Sequence, residues 1–200
     1  MKTLLPLFAA LLLTACQTTL PRDEASPWYH PPAGTTVTVH RSIDIPPGRA
    51  RTFLQNGQIV AYTARNLYYP NCEFEVLTVD ETVRRIQPGE FRVQRVLIRQ
   101  DQVAGGDPVR LADAGRHLGV GLGIGPWGGM GLAADDAGPS YIMYVVEMRL
   151  RSPEQPDVYR LVCRGGEDDP ADAIPPSIRE MRQALGDYAT LTLPDAAPGN

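Results

Sequence analysis

The sequence predicts a mainly β protein, an antiparallel sandwich or partly closed barrel with one short C-terminal helix. Three observations predict it. Apolar and polar residues alternate through several short runs, the period-two signature of half-buried strands. Asn56-Gly57 sits between two such runs, where a two-residue hairpin needs positive φ at both positions. The connections between the later runs are short, as hairpins require, and repeated hairpins build an antiparallel sheet.

Taken in order, residues 36–40 place Val37 and Val39 on one face and polar groups on the other. Ile45-Pro46-Pro47-Gly48 reads as a turn into the hairpin, whose strands are 51–55 and 58–62. Cys72, Phe74 and Val76 share one phase, and Glu73 and Glu75 the other. Residues 90–99 read as a longer strand with Phe91, Val93 and Leu97 in phase. Over 141–151, Ile142, Tyr144, Val146, Met148 and Leu150 line one face. A proline-bearing turn at 152–157 then returns the chain as a partner strand over 158–164. Ser177 and Glu180 fit a capping box, each satisfying a backbone N–H that helix geometry leaves free. Ile178, Met181 and Leu185 form the apolar stripe of that helix, and Gly186 supplies its stop. A short strand and a loose tail close the chain.

Composition sets the bounds. Two hundred residues, 43% hydrophobic and 21% charged, describe a folded chain with room for one ordinary domain. The net charge of −4 gives no attraction to phosphate backbones, so a nucleic-acid partner is not expected. Lys2 is the only lysine, and every other basic residue is arginine. Recognition of carboxylate or phosphate by the guanidinium fork is one reading of that bias. Base composition is the simpler one, because the arginines are scattered along the whole chain.

The amino terminus carries the clearest functional signal. Lys2 precedes an apolar stretch over 3–13, far short of the roughly 20 residues that span a bilayer. Leu13-Thr14-Ala15-Cys16 closes it. These residues resemble the lipobox of bacterial lipoproteins. The resemblance implies diacylglyceryl transfer to the Cys16 thiol, cleavage between Ala15 and Cys16, and acylation of the new amino terminus. Gln17, where aspartate would retain the protein at the inner membrane, implies export to the outer membrane with the domain facing the periplasm. The resemblance covers residues 1–17. Beyond them the chain resembles uncharacterised envelope lipoproteins, with no narrower family implied.

The expected organisation is therefore a leader over 1–15, a lipid-bearing Cys16 with a flexible tether to residue 34, one β-rich domain over 35–193 and a tail over 194–200. Four prolines in the tether favour extended chain, with a reach of about 50 Å at about 3.1 Å per residue. Trp28 and Tyr29 within it are read as packing onto the first strand, against an interfacial anchor or recognition motif. Cys72 and Cys163 remain after lipidation. Oxidising export and their inward phases favour a disulfide, with two separate buried thiols as the alternative.

Candidate chemistry is sparse. The glycine-rich run 119–131 lies in a long loop over 101–140. It lacks the Lys-Ser/Thr pair and the strand–turn–helix frame of a phosphate site. Val120, Leu122, Ile124 and Trp127 make it a candidate contact loop for membrane or partner. His30, His40 and His117 show no ligand spacing. Asp113 and His117, four residues apart, do not make a site. Glu167-Asp168-Asp169 with Asp172 lacks the ligand order of a calcium loop and reads as a solvated acidic loop. Ser140 does not match a nucleophile elbow. No metal or cofactor is expected. The reading is a non-enzymatic binding or scaffolding module of the cell envelope, held to the membrane through lipid on Cys16 and contacting an envelope protein. An envelope hydrolase without a visible motif and a small-ligand or lipid carrier are the alternatives.

Overall fold

A computed structural model of the chain describes residues 22–103 and 141–195. In chain order its elements are β1 (Thr36–Val39), β2 (Ile43–Ile45), β3 (Arg51–Gln55), β4 (Gln58–Val60), β5 (Asn71–Val76), β6 (Arg84–Ile86), β7 (Gly89–Val103), β8 (Tyr141–Arg151), β9 (Val158–Arg164), α1 (Ile178–Leu185) and β10 (Ala189–Thr192). Eight strands form one antiparallel sheet in the order β10-β1-β7-β8-β9-β5-β3-β4, curled into a half-barrel. β2 and β6 pair separately. The partly closed barrel, not the sandwich, is the architecture.

Local chemistry places these elements. Asn56 (φ 51°) and Gly57 (φ 72°) both adopt positive φ, so β3 and β4 close on the two-residue turn. The Ser177 hydroxyl accepts from the Glu180 N–H, and the Glu180 carboxylate accepts from the Ser177 N–H, completing the capping box. Ile178, Met181, Ala184 and Leu185 are the buried face of α1. That face packs against β3, β5 and β10, so the helix bridges the two ends of the curled sheet. With Leu54, Phe74, Phe91, Met148 and Leu161, it fills the concave side. Ile43, Ile45 and Ile86 of the β2–β6 pair join the same core at 1% exposure or less.

The helix end and the hairpin turn meet without side chains between them. The Gly57 N–H donates to the Ala184 carbonyl at 3.0 Å. A Cβ on Gly186, itself at φ 54°, would collide with the Gly57 Cα. Backbone clash and left-handed strain act together at this residue, unlike at an isolated turn glycine. Gly186→Ala is expected to lower unfolding free energy by roughly 1–3 kcal/mol in urea titration, the usual range for overpacking.

The strands differ from expectation in detail. Val93 pairs with Leu150 and Arg95 with Arg149, leaving Gln94 as a bulge that reverses the phase of β7. Val96 consequently packs on the core, and Leu97 lies on the other face instead of continuing the line of Phe91 and Val93. A second irregularity, between Glu75 and Val76, leaves Tyr159 out of the line of Leu161 and Cys163. β4 ends at Val60, where the chain turns into a 3-10 segment over Tyr62–Ala64. β7 extends to Val103, past the expected start of the long loop.

The expected tether is docked from residue 22 onward. The Arg22 guanidinium donates to the Pro194 carbonyl at 2.8 Å, and Glu24 pairs with Arg182 of α1. The Arg179 N–H donates to the Glu24 carbonyl at 3.1 Å. Trp28, 63% exposed, stands edge-on to Tyr144 of β8 with centroids 6.0 Å apart, so its ring contact is to a central strand. Turns and paired charges hold this segment where its prolines alone suggest extended chain.

Candidate functional site

Cys72 of β5 and Cys163 of β9 stand opposite each other in register, with Cα atoms 4.0 Å apart, and form a disulfide. Both are fully buried, beside Phe74 and Met181. Pairing sets their neighbours on the opposite face just as firmly. Reading across the convex face of the sheet, one row runs Arg51, Glu75, Arg160, Arg149, Arg95 and the next Phe53, Glu73, Val162, Glu147, Leu97. One face of an antiparallel sheet is ordinarily solvated. Here Glu73, Glu75 and Glu147 are 0%, 2% and 4% exposed.

Arginines enclose these carboxylates. Arg164 donates to Glu73 Oε1 at 2.8 Å, and Arg51 reaches the same oxygen at 3.4 Å and Glu75 Oε1 at 3.2 Å. Arg160 pairs with Glu75 Oε2 and, at 2.8 Å, with Glu147 Oε2. Arg149 holds Glu147 Oε1 at 2.9 Å. The Tyr159 hydroxyl donates to Glu75 Oε2 at 2.9 Å, and its ring lies under both Arg149 and Arg160. The bulge that moves Tyr159 out of the core phase brings this contact about.

Two neighbouring carboxyls titrate in opposite directions. Burial pushes Glu73 up, and Arg164 and Arg51 do not offset it. Burial also pushes Glu75 up, but hydrogen bonds from Arg160 and Tyr159, with Arg51 nearby, bring it below the ordinary glutamate range.

At one end of this network the face is hollowed. A depression of 330 Å³ is lined by Arg51, Arg65, Arg164 and Glu73, with Phe53 and Met143 among its apolar walls. A second hollow of 490 Å³, running past Ala50, Val60 and Ala61, shares Arg51, Phe53 and Tyr62 with the first. Together they form one groove with an aromatic partition. The Arg65 guanidinium lies 4.1 Å from the Phe53 centroid and 4.6 Å from that of Tyr62, so its plane is held by two rings. Its Nε donates to the Tyr62 carbonyl at 3.3 Å, and it has no ion-pair partner among the described residues. Burial, then repulsion from Arg164, depresses its pKa below the ordinary arginine value, and attraction from Glu73 offsets this only in part. Tyr62, Tyr68 and Tyr69 leave an exposed aromatic surface on the same connection.

The residues singled out in the sequence fall elsewhere. Cys16, Ala15, Val120, Leu122, Ile124, Trp127, Asp113, His117 and Ser140 lie outside the described residues. His30 is half-buried, and burial lowers its pKa. His40 Nε2 lies 3.0 Å from the Thr190 hydroxyl on an exposed face of the β1–β10 ladder. Asp168 bridges to Ile142 through backbone, and the Asp169 carboxylate accepts from the Ala171 N–H in its own turn. No group of three histidine, cysteine, aspartate or glutamate side chains stands ready for a metal among the described residues.

Sequence reasoning missed the groove. One signal was available: two glutamates alternating with core residues on a strand whose other neighbours alternate Arg160, Val162 and Arg164. Cross-strand opposite charges of that density mark a face that is paired, not solvated. No family model, curated protein or solved structure matches the chain.

Proposed function

We propose that the protein is a lipid-anchored lipoprotein of the outer membrane whose β domain is a non-enzymatic binding or scaffolding module facing the periplasm. The observation that carries this reading is the apolar leader ending in Leu13-Thr14-Ala15-Cys16. The core disulfide supports it, because such bonds persist in oxidising compartments. The groove beside Arg65 supports the binding role, with aromatic and guanidinium groups at one surface, the side chains that dominate contact energetics.

Docking of residue 22 onward bears on where such a module works. Five residues, 17–21, separate Cys16 from Arg22, which span about 15 Å at about 3.1 Å per residue. The domain is thus held near the headgroups, where the partner is a neighbour in the same membrane or a ligand at its surface. A lipid chain inside the barrel is disfavoured, because α1 and the core side chains occupy the concave side.

Fractionation with a Cys16→Ser variant tests the anchor. The wild-type chain is expected in the outer-membrane fraction, and the variant as an uncleaved, lipid-free precursor. In-cell cross-linking through Tyr62 or Tyr68 replaced by a photoreactive residue is expected to capture a discrete envelope partner. Wild-type protein in the soluble fraction overturns the anchor, and no adduct from either position overturns an envelope-protein partner at this surface.

A further inference from the structure

We propose that the groove binds a small ligand bearing a carboxylate, which takes the open fork of Arg65 while an apolar or aromatic arm lies along Phe53 and Tyr62. This rests on the reading of the domain as a binding module and names the chemistry of its ligand.

Three features carry it. First, Arg65 is pre-organised. Two rings hold the plane of its guanidinium, one backbone carbonyl takes its Nε, and the fork makes no ion pair among the described residues, although Glu73 stands in the same wall. A stacked, half-buried guanidinium loses little freedom on meeting an oxyanion.

Second, positive charge is in surplus. Arg51, Arg65 and Arg164 surround the hollow against one carboxylate, Glu73, while Asp101 is engaged by Arg99. On the wider face, Arg149 and Arg160 share Glu75 and Glu147, leaving the excess around Arg65. The whole chain carries −4, so the local positive excess runs against the overall charge and favours an anion at this site.

Third, polar capacity is left over. Glu73 binds both arginines through Oε1 alone. Its Oε2 and the Nη1 of Arg164 are sealed from solvent with no hydrogen-bond partner among the described residues. A buried polar group left unpaired is costly, so the wall of the hollow gains from any rearrangement on ligand entry that brings a partner to either atom.

A carboxylate fits better than a phosphate. The guanidinium and carboxylate planes match as a bidentate pair. Glu73 remains in the wall and would repel a second negative charge. The adjoining hollow, with Ala50, Val60, Ala61 and the Tyr62 ring, suits an apolar arm and not a hydrated anion.

The test titrates the full-length protein in detergent micelles, by calorimetry, with N-acetylphenylalanine, its amide and inorganic phosphate. The acid is expected to bind saturably, with the amide and phosphate each weaker by about tenfold or more. Arg65→Gln, shown folded by circular dichroism, is expected to lose about tenfold for the acid. Arg85→Gln, at an exposed arginine paired with Asp44 on β6, is expected to leave it unchanged. A tripeptide ending in phenylalanine that binds more tightly than the acid identifies a peptide C-terminus as the source, and equal binding identifies a free small acid. Equal binding of acid and amide, tighter binding of phosphate, or an undiminished Arg65→Gln variant overturns the proposal. The acid–amide comparison on the wild type decides the matter even where a variant fails to fold. A negative result leaves the cross-linking test of the module itself standing.

Discussion

Loss of the Cys72–Cys163 disulfide is expected to destabilise the domain by about 4.6 kcal/mol, the loop-entropy value for a closure of this size. The bond joins residues 91 apart in sequence and ties β5 to β9 at the middle of the sheet. It is also sealed, since both cysteines are fully buried beside Phe74 and Met181. Reduction should therefore require opening of the core, and reduced protein should melt at markedly lower urea concentration. The comparison to make is urea unfolding of the oxidised wild type against Cys72→Ala/Cys163→Ala. A difference below about 1 kcal/mol would place the bond outside the account of stability.

Arg164→Ala is expected to cost about 3–5 kcal/mol near neutral pH, the range for breaking a buried ion pair from one side. Glu73 would then keep only Arg51, itself shared with Glu75, in a fully buried position. The pH dependence gives the prediction a sign. Burial already raises the Glu73 pKa in the fold, and loss of Arg164 raises it further. A carboxyl with a raised folded pKa contributes stability below its unfolded pKa and loses that contribution as pH rises through the folded one. The deficit of Arg164→Ala should therefore shrink as the solution is acidified. Glu75 acts in the opposite sense in the wild type. Its depressed pKa gives stability above the ordinary glutamate range, which is lost as pH falls through the folded value. Urea midpoints of both proteins across the acid range measure the two slopes, and a deficit that grows on acidification contradicts this assignment.

Features set by neighbours in sequence are legible from the residues alone. Asn56-Gly57 carries its own φ requirement, Ser177 and Glu180 cap each other across one turn, and β8 puts Val146, Met148 and Leu150 on the core face as its period of two predicts. Cys72 and Cys163 are legible too, because each shares the inward phase of its strand, which brings the two thiols to one side of the sheet. Features set by distant parts of the chain are not. A bulge at Gln94 or beside Tyr159 inserts one residue without altering composition, and every later side chain changes face. β2, with only Ile43, Asp44 and Ile45, becomes a strand because Arg84–Ile86 returns to it. The groove depends on both problems at once. Alternation places Glu73 and Glu75 on the second face, but which arginines meet them depends on the strand order β8-β9-β5-β3. Arg65 lies in a connection with no periodicity to read, and only the turn after β4 brings it onto Phe53 and Tyr62.

The groove also gives the arginine bias a structural use. Arginines spread from residue 51 to residue 164 gather on one face, where the fork geometry matters and a lysine ammonium would satisfy one carboxylate oxygen at a time. Whatever the origin of the bias, at Arg160 the fold uses the fork directly, bridging Glu75 and Glu147 from two nitrogens.

The central claim, a disulfide-locked domain hung from the membrane at Cys16, is tested most directly by the intact mass of protein recovered from the membrane fraction, with and without reductant before alkylation. The expected result is a chain that begins at Cys16, is heavier by a diacylglyceryl group and one acyl chain, and takes up alkylating agent at Cys72 and Cys163 only after reduction. A chain that retains residues 1–15 or carries no lipid, or one that alkylates at both cysteines without reductant, contradicts it.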